Sequence, residues 1–315
     1  MAVSLTDQPR ILIVGAAGQV GVELQHSFSG FGSIVAADIE SSGLESVDLA
    51  DAEQTRALVR RVEPQVIINA AAYTAVDRAE SHPDLAMAIN ATAPRILAEE
   101  ALKLNALLVH YSTDYVFNGE KTEPWTETDL PNPLNVYGAS KLAGEQAIQQ
   151  TGGRYLTFRT SWVYGPHGNN FLLTMLRLSR ERDHLSIVDD QFGSPTTSIE
   201  LAKATRAVTE GVLAGKFGEV EDWAGLYHMT CSNSTTWFGF AKAIFAGAAA
   251  LLEVKPPELI PIATEDYPTP ARRPRNSVLS NQKLLDRFGV RLPPWQAALD
   301  DVLQVLSSAN DPRRV

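Results

Sequence analysis

Cysteine is nearly absent: one residue, Cys231, stands in a chain of 315. A lone thiol forms no disulfide within the chain and builds no cysteine zinc cluster. The expected setting is a reducing compartment, the cytoplasm. Positive charge is in deficit. Lys and Arg number 27 against 37 Asp and Glu, a formal charge of −10. A field of that sign repels nucleic acid and anionic membranes, so both are excluded as expected partners. Any phosphate on a ligand must then be held by local donors. Long apolar runs are missing too. No segment approaches a bilayer span, and the opening MAVSLTDQPR lacks the apolar core of a signal peptide. The tripeptide Asn90-Ala91-Thr92 therefore reads as a chance match to a glycosylation acceptor. The six histidines show no metal-ligand spacing. His110 reads as a packed core residue and Cys231 as an inert thiol with no activating base nearby. Trp223, Trp237 and Trp295 read as packing residues.

What is present is an alternation of short apolar runs and helical patterns. Strands are expected at 11–14, 34–37, 66–70, 106–111 and 156–160. Helices are expected at 21–29, 51–62, 86–104 (with Pro94 as a start or kink) and 136–150. Continuous apolar strands between helices indicate a parallel sheet covered on both faces. The expected fold class is α/β, a Rossmann-type doubly wound parallel sheet with a smaller C-terminal α/β substrate domain. The dinucleotide-binding domain is expected over residues 1–165. The substrate domain is expected over 166–315, with a stretch near 185–220 returning to the first. Proline clusters and two further helices, 171–182 and 237–252, mark the second half.

The first strand runs into Gly15-Ala16-Ala17-Gly18-Gln19-Val20-Gly21. Glycine is needed where the backbone turns sharply and where a phosphate approaches without a Cβ in the way. The following helix aims free N–H groups and its positive dipole end at that phosphate. Asp38 ends the second strand, 20 residues after Gly18, where an acid accepts the adenosine ribose hydroxyls. On charge, Asp38 favours NADH, since it would repel a 2′-phosphate and no Lys or Arg stands near it. The Gly-x-x-Gly-x-x-Gly spacing resembles the short-chain dehydrogenase/reductase superfamily. That resemblance implies Asp48 and Leu49 beside the adenine, with Ala71, Ala72 and Tyr73 under the cofactor.

Tyr137 and Lys141 stand four residues apart, on one face of a helix. A phenol titrates near 10 and is a poor acid at neutral pH. A nearby ammonium favours the phenolate and is expected to lower that value. A shift of about three units needs roughly 4 kcal/mol of differential stabilisation. Ser112 and Thr113 follow a strand's carboxyl end, where open α/β sheets bind ligands. Of the two, Thr113 is the expected partner of the tyrosine and of a substrate carbonyl.

Longer segments carry a closer resemblance. They are Asn69-Ala70-Ala71-Ala72-Tyr73-Thr74-Ala75-Val76-Asp77, Tyr111-Ser112-Thr113-Asp114-Tyr115-Val116-Phe117, Asn135-Val136-Tyr137-Gly138-Ala139-Ser140-Lys141, Arg159-Thr160-Ser161-Trp162 and Tyr267-Pro268-Thr269-Pro270. Together they resemble the dTDP-4-dehydrorhamnose reductase family over nearly the whole chain. The resemblance implies hydride transfer from NADPH or NADH to carbon 4 of a 4-keto sugar nucleotide, the last step of dTDP-L-rhamnose synthesis. It implies Tyr137 as proton donor, Lys141 on the nicotinamide ribose, and Thr113 positioning both carbonyl and tyrosine. Thr74 and Tyr111 join the expected cofactor contacts. Thr113, Asp114 and Trp162 are expected to line the sugar pocket.

Arg273, with Arg272 and Arg275, is the expected cation for the substrate diphosphate. Asn170, beside Asn169 and Phe171, is expected at the nucleotide. Asn90 is expected to bend its helix and hold a water behind Lys141. Some relatives bind Mg²⁺ at a dimer contact through acidic residues, which makes Glu23 a candidate, with a solvated helix glutamate the favoured reading. Either a monomer or a homodimer is compatible. Two other functions share the fold: a nucleotide-sugar epimerase or related ketoreductase, and a non-catalytic regulatory subunit. A dehydratase needs further acid–base carboxylates beside Thr113, and only Asp114 stands there. The intact Tyr137, Lys141 and Thr113 weigh against a purely regulatory role.

Overall fold

The computed structural model describes residues 8–39, 43–251 and 254–309. The opening residues 1–7 and Leu252, the expected end of one helix, lie outside them. The first half runs β1 (Arg10–Val14), α1 (Gln19–Phe28), β2 (Ser33–Asp38), β3 (Glu45–Ser46), α2 (Ala52–Val62), β4 (Val66–Asn69), α3 (Val76–Ala79), α4 (Pro83–Met87), α5 (Ala93–Leu104), β5 (Leu107–Thr113), α6 (Val136–Thr151) and β6 (Tyr155–Thr160). The second half runs β7 (Val163–Tyr164), α7 (Phe171–Leu178), β8 (His184–Val188), β9 (Phe192–Gly193), β10 (Thr196–Thr197), α8 (Ser198–Leu213), α9 (Val220–Trp223), β11 (Gly225–His228), β12 (Thr235–Thr236), α10 (Trp237–Leu251), β13 (Glu258–Ile262), α11 (Gln282–Phe288) and α12 (Trp295–Ala309).

Seven strands form one parallel sheet in the order β11-β6-β5-β4-β1-β2-β3. Alternate residues of each strand enter opposite layers. Ile11, Ile13, Val66, Ile68, Leu107 and Val109 pack toward α1 and α8. Leu12, Val14, Ile67 and Leu108 pack toward α2, α5 and α6. This is why the strands read as unbroken apolar runs: both faces are dry. The chain leaves β1 for β2 on one side and returns to β4 on the other. That reversal opens a crevice at the carboxyl ends of β1 and β4, the place where such sheets bind ligands.

Local chemistry sets the helix starts. Asp51 accepts from the backbone N–H groups of Glu53 and Gln54 and caps α2. Asn135 accepts from Gly138 N–H at 2.8 Å and caps α6. Gly18 precedes α1 with no side-chain cap, leaving the first-turn N–H groups facing the crevice. The expected single helix over 86–104 is two helices joined by a wider π-turn, Ala88–Thr92, with Pro94 in the first turn of α5. β5 extends to Thr113, so Ser112 and Thr113 close the strand instead of following it. α7 ends at Leu178, short of the expected 182.

The expected boundary near 165 falls between β7 and α7. Beyond it, α8 packs along α1 and β11 adds an edge to the main sheet. β8 and β13 pair in parallel, α10 packs on both strands, and α7 and α12 pack against α10. One apolar core runs from Ile11 through Phe240 to Leu303, so the second half is packed continuously onto the first.

Candidate active site

A groove of about 580 Å³ lies in the crevice. The glycine turn forms its floor. Gly15 has φ +79°, and a Cβ there would sit 2.4 Å from the backbone nitrogen of Ala71. A Cβ on Gly21 would sit 2.0 Å from the Gly15 carbonyl, so this glycine lets α1 press onto the turn and does not itself face the groove. Gly18, Gln19 and Val20 line the wall. Asp38 accepts from Ala17 N–H at 2.8 Å and from Ile39 N–H at 2.7 Å, which fixes its carboxylate at the groove's edge. Asp48, Leu49, Ala71, Ala72, Thr74 and Tyr111 line the remainder.

Tyr73 stands off the wall. Its backbone N–H donates to Asn90 Oδ1 at 2.8 Å, while Asn90 Nδ2 donates to the Tyr73 carbonyl and to Ser140 Oγ. Asn90, fully buried in the π-turn, thus pins the loop after β4 to α6. A bare glycine turn, an uncapped helix start and an acid at the end of β2 together fit a nicotinamide dinucleotide.

Tyr137 and Lys141 enter the groove at its other end. Lys141 is 1% exposed. Its Nζ donates to the Tyr111 carbonyl at 2.6 Å and lies 3.3 Å from His110 Nε2. Burial pulls Lys141 down to about 8, with Glu145 acting against it. The hydroxyl of Tyr137 is pushed up to about 12 by burial; a hydrogen bond with Thr113 lowers it and the charge of Asp114 raises it. The expectation that Lys141 makes this phenol acidic is therefore corrected. Desolvation dominates, and the polar contacts of Lys141 are Tyr111 and His110.

Thr113 donates to Asp114 Oδ1 at 2.9 Å and accepts from Tyr115 N–H at 3.1 Å. Ser112 lines the groove, yet its hydroxyl is spent on Glu145. Glu145 in turn takes two hydrogen bonds from Arg159, at 2.9 and 2.6 Å. This buried pair ties α6 to β5 and β6. Its sequence signal was Glu145 one helical turn beyond Lys141. Asp114 is buried with Oδ2 unpartnered, and burial raises it to about 7. The ring of Tyr115 packs edge-on to Tyr137 at 5.8 Å.

Trp162 adopts φ +47°, a left-handed conformation that a bulky residue pays for only where its surroundings enforce it. Its indole stacks on Trp237 at 3.5 Å, and a Cβ on Gly193 would strike it at 2.4 Å. Trp237, read above as packing, is half-buried and supports this neighbour.

A second cavity of about 750 Å³ is lined by Arg272, Arg273 and Arg275 with Lys121 and Phe192. Arg273 is not a free cation there. Its guanidinium holds Asp77 through two bonds of 2.9 and 2.8 Å and also donates to the Ala271 carbonyl. Arg272 and Arg275 are exposed in the same cavity. Asn170 caps α7 through Leu173 N–H and donates to Gln19 Oε1 at 2.9 Å. It braces the glycine turn from the dinucleotide side. Glu23 is 9% exposed instead of solvated, with His26 and His167 each 3.7 Å away. Among the described residues no three His, Cys, Asp or Glu side chains gather as a metal site.

A parallel Rossmann sheet, a dinucleotide groove and a Thr–Tyr–Lys group at its end define a nicotinamide-dependent oxidoreductase of the short-chain type. Comparison with known proteins narrows this. Residues 9–308 match the family model described as RmlD substrate binding domain. A dTDP-4-dehydrorhamnose reductase of Burkholderia thailandensis is 46% identical over 297 residues, 92% of this chain and 96% of the relative. The crystal structure of the Clostridium acetobutylicum dTDP-4-dehydrorhamnose reductase superposes with a TM-score of 0.84 at 37% identity, covering 94% of this chain and 99% of that one. The Bacillus anthracis enzyme, solved in complex with NADP, superposes at 0.83 with 36% identity, covering 95% and 99%. This chain belongs to the dTDP-4-dehydrorhamnose reductase family.

Proposed function

We propose that this chain reduces the 4-keto group of dTDP-4-dehydro-L-rhamnose with NADPH or NADH, giving dTDP-L-rhamnose. The observation that carries the reading is Tyr137, hydrogen-bonded to Thr113, and Lys141 lining the inner end of a groove whose outer end holds Asp38 and the glycine turn. When bound, the nicotinamide supplies the hydride. The chain's own residues supply the rest. Thr113, once its hydroxyl turns from Asp114 Oδ1, holds the substrate carbonyl in line with Tyr137. As carbon 4 takes up a hydride, its oxygen gains negative charge, and Tyr137 donates its hydroxyl proton to that oxygen. A phenol held near 12 keeps its proton until the alkoxide forms, so it acts as an acid whose donation is coupled to hydride arrival. Lys141 holds the nicotinamide ribose through its ammonium group.

Asp38 at the ribose end supports NADH on charge; the B. anthracis relative bound to NADP shows the family's other choice. Arg272 and Arg275, exposed in the cavity, are the cations for the sugar diphosphate, with Asp190 3.9 Å from Arg275, while Arg273 shapes the cavity through Asp77. A cytoplasmic setting belongs to the same proposal, since a single thiol is compatible with a reducing compartment. No described helix is long and apolar enough to cross a membrane.

The test is turnover of the pure chain with dTDP-4-dehydro-L-rhamnose and each nicotinamide. The expected result is one NAD(P)H oxidised per ketone reduced. Redox-neutral turnover would assign an epimerase instead, and no turnover would assign a regulatory subunit.

A further inference from the structure

We propose that His110 is a positioning residue that opposes the ammonium form of Lys141, through a tautomer that Asn69 imposes. The argument starts from the Asn69 amide. Ala71 N–H donates to Asn69 Oδ1 at 3.2 Å, which fixes the amide's orientation and turns Nδ2 toward His110 Nδ1, 3.1 Å away. An amide nitrogen offers only hydrogens, so Nδ1 must carry the lone pair. His110 is fully buried, and desolvation together with the Lys141 charge holds it well below its ordinary value, as a neutral ring. A neutral imidazole with a bare Nδ1 carries its proton on Nε2.

That Nε2–H faces Lys141 Nζ at 3.3 Å. An ammonium has three hydrogens and no lone pair, so two donors would confront each other. A neutral amine satisfies both contacts: it accepts from His110 and donates to the Tyr111 carbonyl. The other groups facing Lys141 are Tyr137 and Glu145 on α6. Glu145 favours the ammonium, but its charge is shared with Arg159 from β6 and with Ser112 from β5. His110 and Glu145 therefore pull Lys141 in opposite directions. His110 shifts the pH at which the lysine sheds its proton toward neutrality.

The inference deepens the reductase reading and rests on it for one consequence: turnover falls on the alkaline side as Lys141 loses its charge. Three measurements test it. In ¹⁵N-histidine-labelled protein, His110 is expected to show a bare Nδ1 and a protonated Nε2; a proton on Nδ1 would overturn the proposal. NMR titration of the Lys141 side chain is expected to move up by about one pH unit in His110→Phe; an unmoved titration would overturn it. The kcat profile of that variant is expected to carry its alkaline limb upward, so that its ratio to wild type grows about tenfold between pH 7 and 10. A uniform loss at every pH would mark His110 as merely structural. The first measurement uses the wild-type chain, so it stands even if the variant fails to fold. The first two need no turnover, so a chain that reduced nothing would sink the reductase reading and leave the tautomer decided separately.

Discussion

Two buried carboxylates meet opposite treatment. Glu100, between α2 and α5, is 2% exposed and takes hydrogen bonds from Arg56, Arg60 and Lys103. The Arg60 fork comes first among the causes that hold it down at about 2. Asp114, just past the end of β5, is equally buried, has no cation against it among the described residues, and is pushed up to about 7 by burial. Its Oδ2 has no hydrogen-bond partner among the described residues. The scaffold satisfies its buried charge, whereas the candidate site leaves one unsatisfied beside Tyr137. Such an arrangement costs stability and is retained where a substrate group completes it.

The sharpest way to break this contrast is to remove the site's acid. Tyr137→Phe is expected to lower kcat by about 10²-fold or more while dinucleotide affinity stays close to wild type. Stopped-flow turnover and cofactor titration measure both, and near-normal turnover would take the proton-donor role from Tyr137.

Asp114→Asn is expected to act in opposite directions on stability and activity. Its folded value is raised above the unfolded 3.8, so its contribution to stability is present in full below pH 3.8 and is lost as pH rises through about 7. At pH 8 the amide should therefore stabilise the fold, by at most about 4 kcal/mol. Thermal melts at pH 5 and pH 8 should show a gain that grows with pH, together with weaker substrate binding. A destabilised variant at pH 8 would mean that Asp114 has a compensating partner.

Glu100→Gln should do the reverse. Glu100 is depressed from 4.5, so its contribution is present above pH 4.5 and lost as pH falls through about 2. At neutral pH the loss should be about 2 kcal/mol, allowing for screening through the exposed Arg60 and Lys103. Denaturant titrations at pH 7 and pH 3 check it: the penalty should shrink in acid, with kcat unaffected.

The smallest effect is expected at the groove's rim. Asp38→Ala should shift the NADH/NADPH ratio of kcat/KM toward NADPH severalfold, because a repelling carboxylate leaves the 2′ position. An unchanged ratio would detach cofactor choice from Asp38.

Much of this was legible in the residues. The parallel sheet followed from apolar strands between helices, and the glycine turn, Asp38 and the Tyr137–Lys141 spacing converge on one groove. What spacing did not reveal shares a cause. Glu23, Asn170 and Arg273 were judged by side-chain type, but their protein partners come from distant segments: His167, Gln19 and Asp77. Trp237, expected as a packing residue, does pack, stacking on Trp162 from another segment.

The amino-acid order alone dictated what is local: apolar periodicity, the turn that only glycine can make, and which side chains share a helix face. These depend on contacts within a few residues, which spacing encodes. Folding in three dimensions decided the protonation chemistry. Desolvation raises Tyr137 and Asp114 and lowers Lys141, and the amide of Asn69 selects the His110 tautomer. Those outcomes depend on how much water is excluded and on which distant dipole faces each group, and neither quantity exists until the layers have closed.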